Sequence, residues 1–243
     1  MRLDYQSDVP PGDAYQKALD EFHSFYYLRL NQRRQEHLVS LNLPLRGKRV
    51  WEVSAGIGDH TSFFLDRECH VTCSEAREDL AEIIRSRYGD LAVYHLDLER
   101  PAQDFPDSFD VIYCYGVLYH LRTPAEAIDF IAAHCSGLLL LETCVSFGSE
   151  LDPHLVNEHP DKPSQAISGV GCRPTRNWVF TELKARFPFV YIPRTQPNHE
   201  QFPIDWTIAN LQAPFARAIF IASRTKLDLS TLAAELVSEQ SRH

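Results

Sequence analysis

The spacing of hydrophobic and polar residues changes several times along the chain, and each change predicts a new element. Short apolar runs between polar residues predict strands, whereas apolar residues three and four positions apart predict helices. The nearly continuous leucines at 138–141 are typical of a central strand that is covered on both faces. Predicted strands occupy 49–53, 70–74, 92–95, 109–114, 137–142, 189–193 and 216–223, and predicted helices begin near 61 and occupy 78–88, 124–133 and 177–187. This alternation predicts an α/β fold with a doubly wound, mostly parallel sheet.

Four segments fall outside the alternation. Residues 1–12 contain a Pro-Pro-Gly run and predict a loose lead-in, while apolar residues at helical spacing between Leu19 and Leu41 predict one or two helices before the sheet. Periodicity stops between residues 143 and 175, which is typical of a functional loop. Residues 227–243 predict a peripheral helix. The N-terminal helices and the 143–175 segment are therefore expected to form a lid.

The composition narrows the range of partners. A chain of 243 residues is long enough for one full-sized domain, and its net charge of −9 disfavours binding to nucleic acid through phosphate contacts. Apolar runs are too short to span a membrane and the first residues lack a signal-peptide core, so we expect a cytoplasmic protein without membrane contact. The six cysteines contain no Cys-x-x-Cys pair and predict buried, reduced thiols. A homodimer is one open possibility for the assembly.

A turn that binds a nucleotide-like cofactor is predicted where the first strand ends. Gly56 and Gly58 allow positive φ and a close approach of the ligand to the backbone, and the following helix points its free amides at that ligand. Glu75 ends the next strand, where a doubly wound sheet presents a carboxylate to ribose hydroxyls. A dinucleotide site would favour a third glycine where Thr61 stands, whereas Glu52 suits a ligand with a positively charged end. S-adenosylmethionine is such a ligand.

The run Glu52-Val53-Ser54-Ala55-Gly56-Ile57-Gly58 resembles the first motif of the class I S-adenosylmethionine-dependent methyltransferases, acid-x-Gly-x-Gly-x-Gly, with Ser54 in place of the first glycine. The resemblance extends over about 48–223 and implies a seven-stranded sheet with its last strand antiparallel. It implies S-adenosyl-L-methionine as cofactor and S-adenosyl-L-homocysteine as product. We expect residues 1–45 to form a helical lid and 46–243 the cofactor-binding domain.

The resemblance also assigns the cofactor residues. Glu75 would hold the ribose hydroxyls, Asp97 would accept from the adenine amine beside Leu98, and the block 113–120 would lie beside the methionine part. The cofactor-binding residues implied in this way are Glu52, Ser54, Ala55, Gly56, Gly58, Glu75, Ala76, Asp97, Leu98 and Tyr115.

Histidines are the candidate catalytic residues. In-line methyl transfer to a hydroxyl needs a positioned acceptor and a base that removes the proton. His120 follows a strand end that faces the cofactor, and His199 lies in a loop expected to return over the same edge of the sheet. A polar neighbour or helix cap is the alternative for His120. His154 and His159 are either lid residues or plain surface.

Substrate contacts are predicted near Arg173 and Arg176, whose guanidinium groups form an anion clamp or else neutralise acids of the protein itself. Tyr119 is predicted to line the substrate pocket. The acids at 152, 161 and 205 show no spacing typical of a metal site, so we expect no metal.

The acceptor is predicted to be a small molecule, methylated at a hydroxyl oxygen. The segments 116–120 and 139–143 are similar to those of the enzymes that modify the wobble uridine of tRNA with a cofactor related to S-adenosylmethionine. A tRNA (carboxy)methyltransferase and a catalytically silent cofactor-binding subunit are therefore the alternatives. A tRNA substrate would favour convergence on one open face of the arginines at 29, 33, 34, 173 and 176.

Overall fold

The structure is a computed structural model. It describes residues 12–101, 105, 108–208 and 216–243. Except for Gly12, the predicted lead-in lies outside the described residues.

Strands and helices alternate through most of the chain, as the sequence predicts. The strands are β1 (Arg49–Val53), β2 (His70–Glu75), β3 (Ala92–His95), β4 (Phe109–Tyr115), β5 (Cys135–Val145), β6 (His154–Asn157), β7 (Val170–Arg173), β8 (Phe189–Pro193), β9 (Thr195–Gln196), β10 (Ala216–Ser223), β11 (Leu232–Ala233) and β12 (Ser241–Arg242). The helices are α1 (Asp13–Phe22), α2 (Phe25–Ser40), α3 (Thr61–Leu65), α4 (Glu78–Arg87), α5 (Pro124–Ala133) and α6 (Arg176–Arg186), and a 3-10 turn spans Leu118–His120.

The main sheet has eight strands in the order β11-β8-β10-β5-β4-β1-β2-β3. Strands β1 to β5 pair in parallel, while β10 runs antiparallel to both β5 and β8. The doubly wound α/β fold and the antiparallel strand are thus confirmed, and all seven predicted strands lie in this sheet. The additional strand is β11, which extends the edge beyond β8.

Successive side chains of the central strands point to opposite faces of the sheet and fill two apolar cores. Leu139 and Leu141 pack in the first core with Trp51, whereas Leu138 and Leu140 pack in the second with Val50 and others. Because both faces are covered, β5 is continuously hydrophobic, as expected from its leucines.

The 143–175 segment contains regular structure that the sequence does not reveal. Strand β5 continues to Val145, and β6 and β7 form an antiparallel hairpin. These strands have four residues each, and β6 is mostly exposed, so no alternation of apolar and polar residues marks them.

The prediction of a C-terminal helix is wrong. Residues 227–243 contain the short strands β11 and β12, and no helix. Backbone bonds to other parts of the chain hold the segment extended: Arg194 N donates to Thr231 O at 2.8 Å, and Ser241 N donates to Arg194 O at 3.1 Å. Tertiary hydrogen bonding therefore outweighs the local helical preference of this segment.

Candidate cofactor and active site

A cavity of about 1040 Å³, including its open mouth, lies at the carboxyl ends of β1, β2 and β4. Ligands bind at this edge in open α/β sheets. The cavity brings together most of the predicted residues: Ser54, Ala55, Gly56, Glu75, Ala76, Asp97, Leu98, Tyr115, Tyr119 and His120.

The turn after β1 has the left-handed backbone that its glycines predict. Gly56 and Gly58 have φ of +59° and +79°, and Ser54 has φ of +48° although it carries a side chain. A left-handed conformation costs a residue other than glycine about 1–2 kcal/mol, so Ser54 keeps the turn geometry at a modest cost. A Cβ on Gly58 would lie 3.0 Å from the Tyr88 ring, so Gly58 packs behind the turn and does not line the cavity.

Glu75 joins this turn to the start of α4. Its Oε2 accepts from Gly56 N at 2.9 Å, and its Oε1 accepts from Arg77 N at 3.0 Å. Burial raises the pKa of this carboxyl, while the backbone hydrogen bonds act in the opposite direction. The carboxylate is thus held at the cavity wall, where it fits the predicted contact with ribose.

Asp97 is fixed in the loop that follows β3. Its Oδ1 accepts from Glu99 N at 2.9 Å, and Leu98 beside it is buried. Both residues line the cavity with Glu75, so the two predicted acids and the apolar neighbour face the same cavity.

Helices α1 and α2 and residues 158–169, together called the cover, close over this edge of the sheet. Lys17 Nζ donates to Asp161 O at 2.6 Å, and Ser164 Oγ donates to Glu21 Oε1 at 2.6 Å. The guanidinium of Arg77 donates to Pro160 O at 2.6 Å. Arg77 therefore connects the cover to the segment that begins α4 and bonds to Glu75. The predicted lid elements therefore contact each other.

His120 forms a hydrogen-bonded pair with Glu158. Nδ1 of the ring lies 2.5 Å from Glu158 Oε2, which also accepts from Ala166 N at 2.8 Å. Burial lowers the pKa of His120, and Glu158 partly offsets this effect. Burial acts to raise the pKa of Glu158, but its interaction with His120, the backbone hydrogen bond from Ala166 and the charge of Arg173 bring the pKa below its usual value. The imidazole at the cavity wall is therefore neutral near pH 7 and oriented by a carboxylate.

Gly171 makes room for this pair. A Cβ at Gly171 would lie 2.7 Å from Glu158 Oε1 and 2.5 Å from Tyr119 O. Sequence reasoning missed Glu158 because it lies in the segment without periodicity, far from His120 in the chain. The glycines at 169 and 171 were the only local signal.

Comparison with known proteins agrees with this geometry. The family model of a methyltransferase domain matches residues 51–137. A tRNA U34 carboxymethyltransferase of Helicobacter pylori is 30% identical over 180 residues, covering 68% of this chain and 66% of the relative. One from Hahella chejuensis is 32% identical over 124 residues, covering 44% and 35%. The chain thus spans just under two thirds of the H. pylori relative and a smaller part of the other.

Solved structures share the fold. The N-terminal domain of EvdMO1 with SAH bound superposes with a TM-score of 0.60 at 19% identity, covering 80% of each chain. Magnesium protoporphyrin IX methyltransferase from Synechocystis with bound SAM gives a TM-score of 0.57 at 14% identity, covering 88% of this chain and 92% of that one. The chain belongs to the class I S-adenosylmethionine-dependent methyltransferases. This membership confirms the expectations of an enzyme family and of S-adenosyl-L-methionine as its cofactor.

In this methyltransferase Glu52 does not line the cavity. Its side chain is buried, and Thr61 Oγ1 donates to its Oε2 at 2.6 Å. Burial raises the pKa of Glu52 to about 7. Thr61, which stands where a dinucleotide site would have glycine, therefore holds Glu52 behind the turn. A direct contact between Glu52 and the cofactor stays a prediction.

The methyltransferase also contains a buried ionic cluster that sequence reasoning missed. Glu142 accepts from Arg34 Nη2 at 2.6 Å and from Arg217 Nη1 at 3.0 Å, and all three side chains are almost fully buried. Arg217 Nη2 also lies 3.3 Å from the hydroxyl of Tyr119, which lines the cavity. Charged residues inside the apolar strands β5 and β10 were the signal, since such residues are rarely buried unless paired.

Besides Gly58 and Glu52, three further predicted residues lie outside the cavity wall of the methyltransferase. His199 is buried beside the rings of Tyr26 and Phe202, and burial lowers its pKa to about 4. Arg173 approaches Glu158 and Tyr119 O, whereas the guanidinium of Arg176 lies 4.0 Å from the centre of the Trp206 ring. The expected clamp of two arginines is therefore not formed, because the two guanidinium groups face different neighbours.

The described part of the methyltransferase shows no group of histidine, cysteine and acidic residues that could hold a metal ion. Within the same residues, no helix has the length and apolar character needed to cross a membrane. All six cysteines are buried and free of disulfides, as predicted.

Proposed function

We propose that this methyltransferase transfers the methyl group of S-adenosyl-L-methionine to a hydroxyl oxygen of a small molecule, with His120 as the base. The His120–Glu158 pair carries this proposal, because a neutral, oriented imidazole at the cavity wall is the group that such an acceptor requires. The cofactor supplies an electrophilic methyl group on its sulfonium.

The protein's own residues provide the other requirements. His120 takes up the proton of the acceptor at Nε2, because Nδ1 is directed to Glu158. Glu158 fixes the ring and stabilises the imidazolium that forms. The cover excludes water from the reacting groups, and we propose that residues 1–45 act as part of this lid over the cofactor-binding domain at 46–243.

The arrangement of the basic residues supports a small acceptor over tRNA. Arg29 is paired with Glu200 at 2.7 Å and Arg33 with Glu36 at 2.5 Å. The remaining candidates, Arg34, Arg173 and Arg176, are turned toward buried or partly buried partners. The five arginines therefore offer no shared open basic face for phosphates.

A carboxymethyl transfer is the second candidate function, since the similar proteins are named tRNA U34 carboxymethyltransferases. The observation that favours it is the buried cluster, in which two guanidinium groups share the single carboxylate of Glu142. A carboxymethyl group on the cofactor sulfonium would bring a second negative charge to this neighbourhood.

A labelled-donor assay with pure protein tests the proposal. We expect transfer of label from methyl-labelled S-adenosyl-L-methionine to the low-molecular-weight fraction of a cell extract, and no transfer by His120→Gln. Label in the RNA fraction, removed by ribonuclease, would replace the small-molecule proposal by the tRNA alternative. Preference for a carboxymethyl donor in parallel assays would support the second candidate. Binding of the cofactor without transfer to any fraction would indicate a silent subunit.

A further inference from the structure

The two sides of the cavity differ in charge. The turns at the strand ends contribute its charged residues Asp59, Glu75, Arg77, Asp97 and Glu99. The cover contributes apolar and uncharged polar residues, with Arg34 as the one charged side chain among those that the structure describes: Phe22, Tyr27, Asn31, Arg34, Pro163, Ser164, Gln165, Ala166 and Ile167. Burying an unpaired charge is costly, so the wall formed by the cover suits an uncharged ligand group.

Arg34 is committed to the interior of the protein and is 5% exposed. Its Nη1 donates to Asn31 Oδ1 at 3.1 Å, and its Nη2 donates to Glu142 Oε2 at 2.6 Å. The third nitrogen, Nε, is buried. The guanidinium therefore serves to pair with Glu142 and to fix the amide of Asn31.

The contact with Arg34 settles which end of the Asn31 amide faces the cavity. A guanidinium can only donate, so the atom that it contacts is the amide oxygen, and the amide nitrogen lies on the other side. Asn31 Nδ2 has no hydrogen-bond partner in the described part of the chain, and unlike Arg34 Nε it is not fully buried. Asn31 thus presents an accessible donor on the cover.

Tyr27 lies one turn before Asn31 on the same face of α2. Its hydroxyl forms a hydrogen bond with Ser164, whose own proton is donated to Glu21 Oε1 at 2.6 Å. Because a serine hydroxyl has only one proton, Tyr27 is the donor to Ser164, and its oxygen stays free to accept. Successive turns of α2 therefore offer one acceptor and one donor to the cavity.

Both groups lie on the side of the cavity that holds the proposed base. Burial raises the pKa of the Tyr119 hydroxyl, and the nearby hydroxyl of Tyr27 adds to this effect. The ring of Tyr119 has its centre 4.0 Å from that of His120. A small molecule in contact with His120 can therefore also reach α2.

We propose that Tyr27 and Asn31 bind a second hydroxyl group of the acceptor, which is an uncharged molecule with at least two hydroxyls. A hydroxyl donates to the Tyr27 oxygen and accepts from Asn31 Nδ2, whereas a carboxylate or an ammonium group fills only one of these roles. The oxygen of the reacting hydroxyl bonds to the methyl carbon as the carbon–sulfur bond of the sulfonium breaks, and its proton passes to His120. This inference rests on the proposed methyl transfer and names the class of its acceptor.

The charge of the labelled product is the first test. Pure enzyme and methyl-labelled S-adenosyl-L-methionine are incubated with the low-molecular-weight fraction of a cell extract, and label released without extract is subtracted. We expect the labelled product to pass through both an anion and a cation exchanger at pH 7. Acetic anhydride should then acetylate the product, because a hydroxyl remains after methylation. Retention on either exchanger, or a product that cannot be acetylated, would overturn the inference.

Two pairs of matched variants test the residues. Tyr27→Phe should raise by about three- to tenfold the concentration of extract that gives half the maximal rate, and should keep its affinity for S-adenosyl-L-homocysteine in calorimetry. Tyr26→Phe is the control, since the Tyr26 hydroxyl donates to Gln201 and lies outside the cavity.

Asn31→Asp keeps the oxygen that accepts from Arg34 and replaces the free donor by an acceptor. It should raise the same concentration by a similar factor. Gln32→Glu makes the same chemical change on the exposed next residue of α2, outside the cavity, and should behave as the wild type.

The outcomes separate this inference from the proposed function. Weaker binding of S-adenosyl-L-homocysteine to Tyr27→Phe and Asn31→Asp would assign both residues to the cofactor and overturn the inference. Unchanged dependence of the rate on extract in both variants would also overturn it, while leaving the proposed methyl transfer intact. If the wild type transfers no label to the low-molecular-weight fraction, the proposed function fails, and the inference fails with it.

Discussion

Two regions of the methyltransferase meet at the cavity, and they are held in place in different ways. The turns after β1, β2 and β4 are fixed by bonds between adjacent strand ends, such as Ala55 N to Ser74 O at 2.9 Å and Gly56 N to Glu75 Oε2 at 2.9 Å. The cover is fixed by bonds between distant parts of the chain, such as Lys17 to Asp161. The turns carry the predicted cofactor residues, whereas the cover supplies Glu158 and Arg34. The predicted cofactor contacts of the turns are thus encoded locally, whereas the His120–Glu158 pair of the proposed acceptor chemistry depends on tertiary contacts.

The largest expected effect is on the base. His120→Gln should lower kcat by about 10²–10⁴-fold, the usual contribution of general base catalysis, and should leave the affinity for S-adenosyl-L-homocysteine unchanged. Single-turnover rates and calorimetry measure the two quantities. His199→Gln is the matched histidine variant, because His199 lies outside the cavity wall. A larger loss of rate in His199→Gln than in His120→Gln would reverse the assignment.

Glu158→Gln tests whether the cover contributes to the chemistry. Replacing its charged hydrogen bond to His120 should cost about 1.5–3 kcal/mol of transition-state stabilisation. The pKa of His120 lies below its usual value, so kcat/KM of the wild type should fall as the pH drops through that lowered pKa. Glu158 raises the pKa of His120, so the acid limb of Glu158→Gln should move to lower pH. An unmoved limb would show that Glu158 has only a structural role.

Glu75→Ala tests the turns. Loss of its hydrogen bonds to ribose should reduce the binding free energy of S-adenosyl-L-homocysteine by about 1–3 kcal/mol, which calorimetry measures. Glu78→Ala, which removes an acid from the exposed first turn of α4, is the control and should bind normally. Equal affinities of the two variants would remove Glu75 from the cofactor site.

Glu52→Gln separates a structural role of the turn from cofactor binding. The pKa of Glu52 is raised to about 7, so the folded state retains a proton that the unfolded chain loses above its ordinary value of 4.5. The free energy of unfolding therefore decreases as the pH rises from 4.5 to about 7, because the unfolded chain loses this proton more readily than the folded protein does. Glu52→Gln should raise the free energy of unfolding by roughly 1–3 kcal/mol at pH 8 and much less at pH 5. A gain that does not depend on pH would contradict this explanation.

The smallest effect is expected where the two regions are tied together. Arg77→Ala removes the bonds from its guanidinium to Pro160 O, Lys162 O and Gln165 O. Partly exposed hydrogen bonds are weak, so the affinity for S-adenosyl-L-homocysteine should fall only about two- to tenfold. Cleavage by a protease within 158–169 should become faster than in Arg85→Ala. Equal cleavage rates would mean that Arg77 does not hold the cover.

The sequence predicts the first region far better than the second. The positions of the strands up to β5, the left-handed turn and the placement of Glu75 follow from local periodicity, from the glycines and from the convergence of parallel strand ends, whereas the placement of Asp97 comes from the family resemblance. Glu158 could not be predicted to meet His120, since only the β6–β7 hairpin brings them together. His199 does not lie at the cavity wall as expected, because its loop packs against α2. The strands β11 and β12 were not predicted, because they pair with segments that are remote in the sequence.

Hydrogen–deuterium exchange of the pure protein with and without S-adenosyl-L-homocysteine tests most directly whether the two regions form one cofactor site. We expect slower exchange in both regions at once, at the amides of 55–58 and 75–77 in the turns and of 158–169 in the cover. No change in either region, or protection confined to a different part of the chain, would contradict the placement of the cofactor in this cavity.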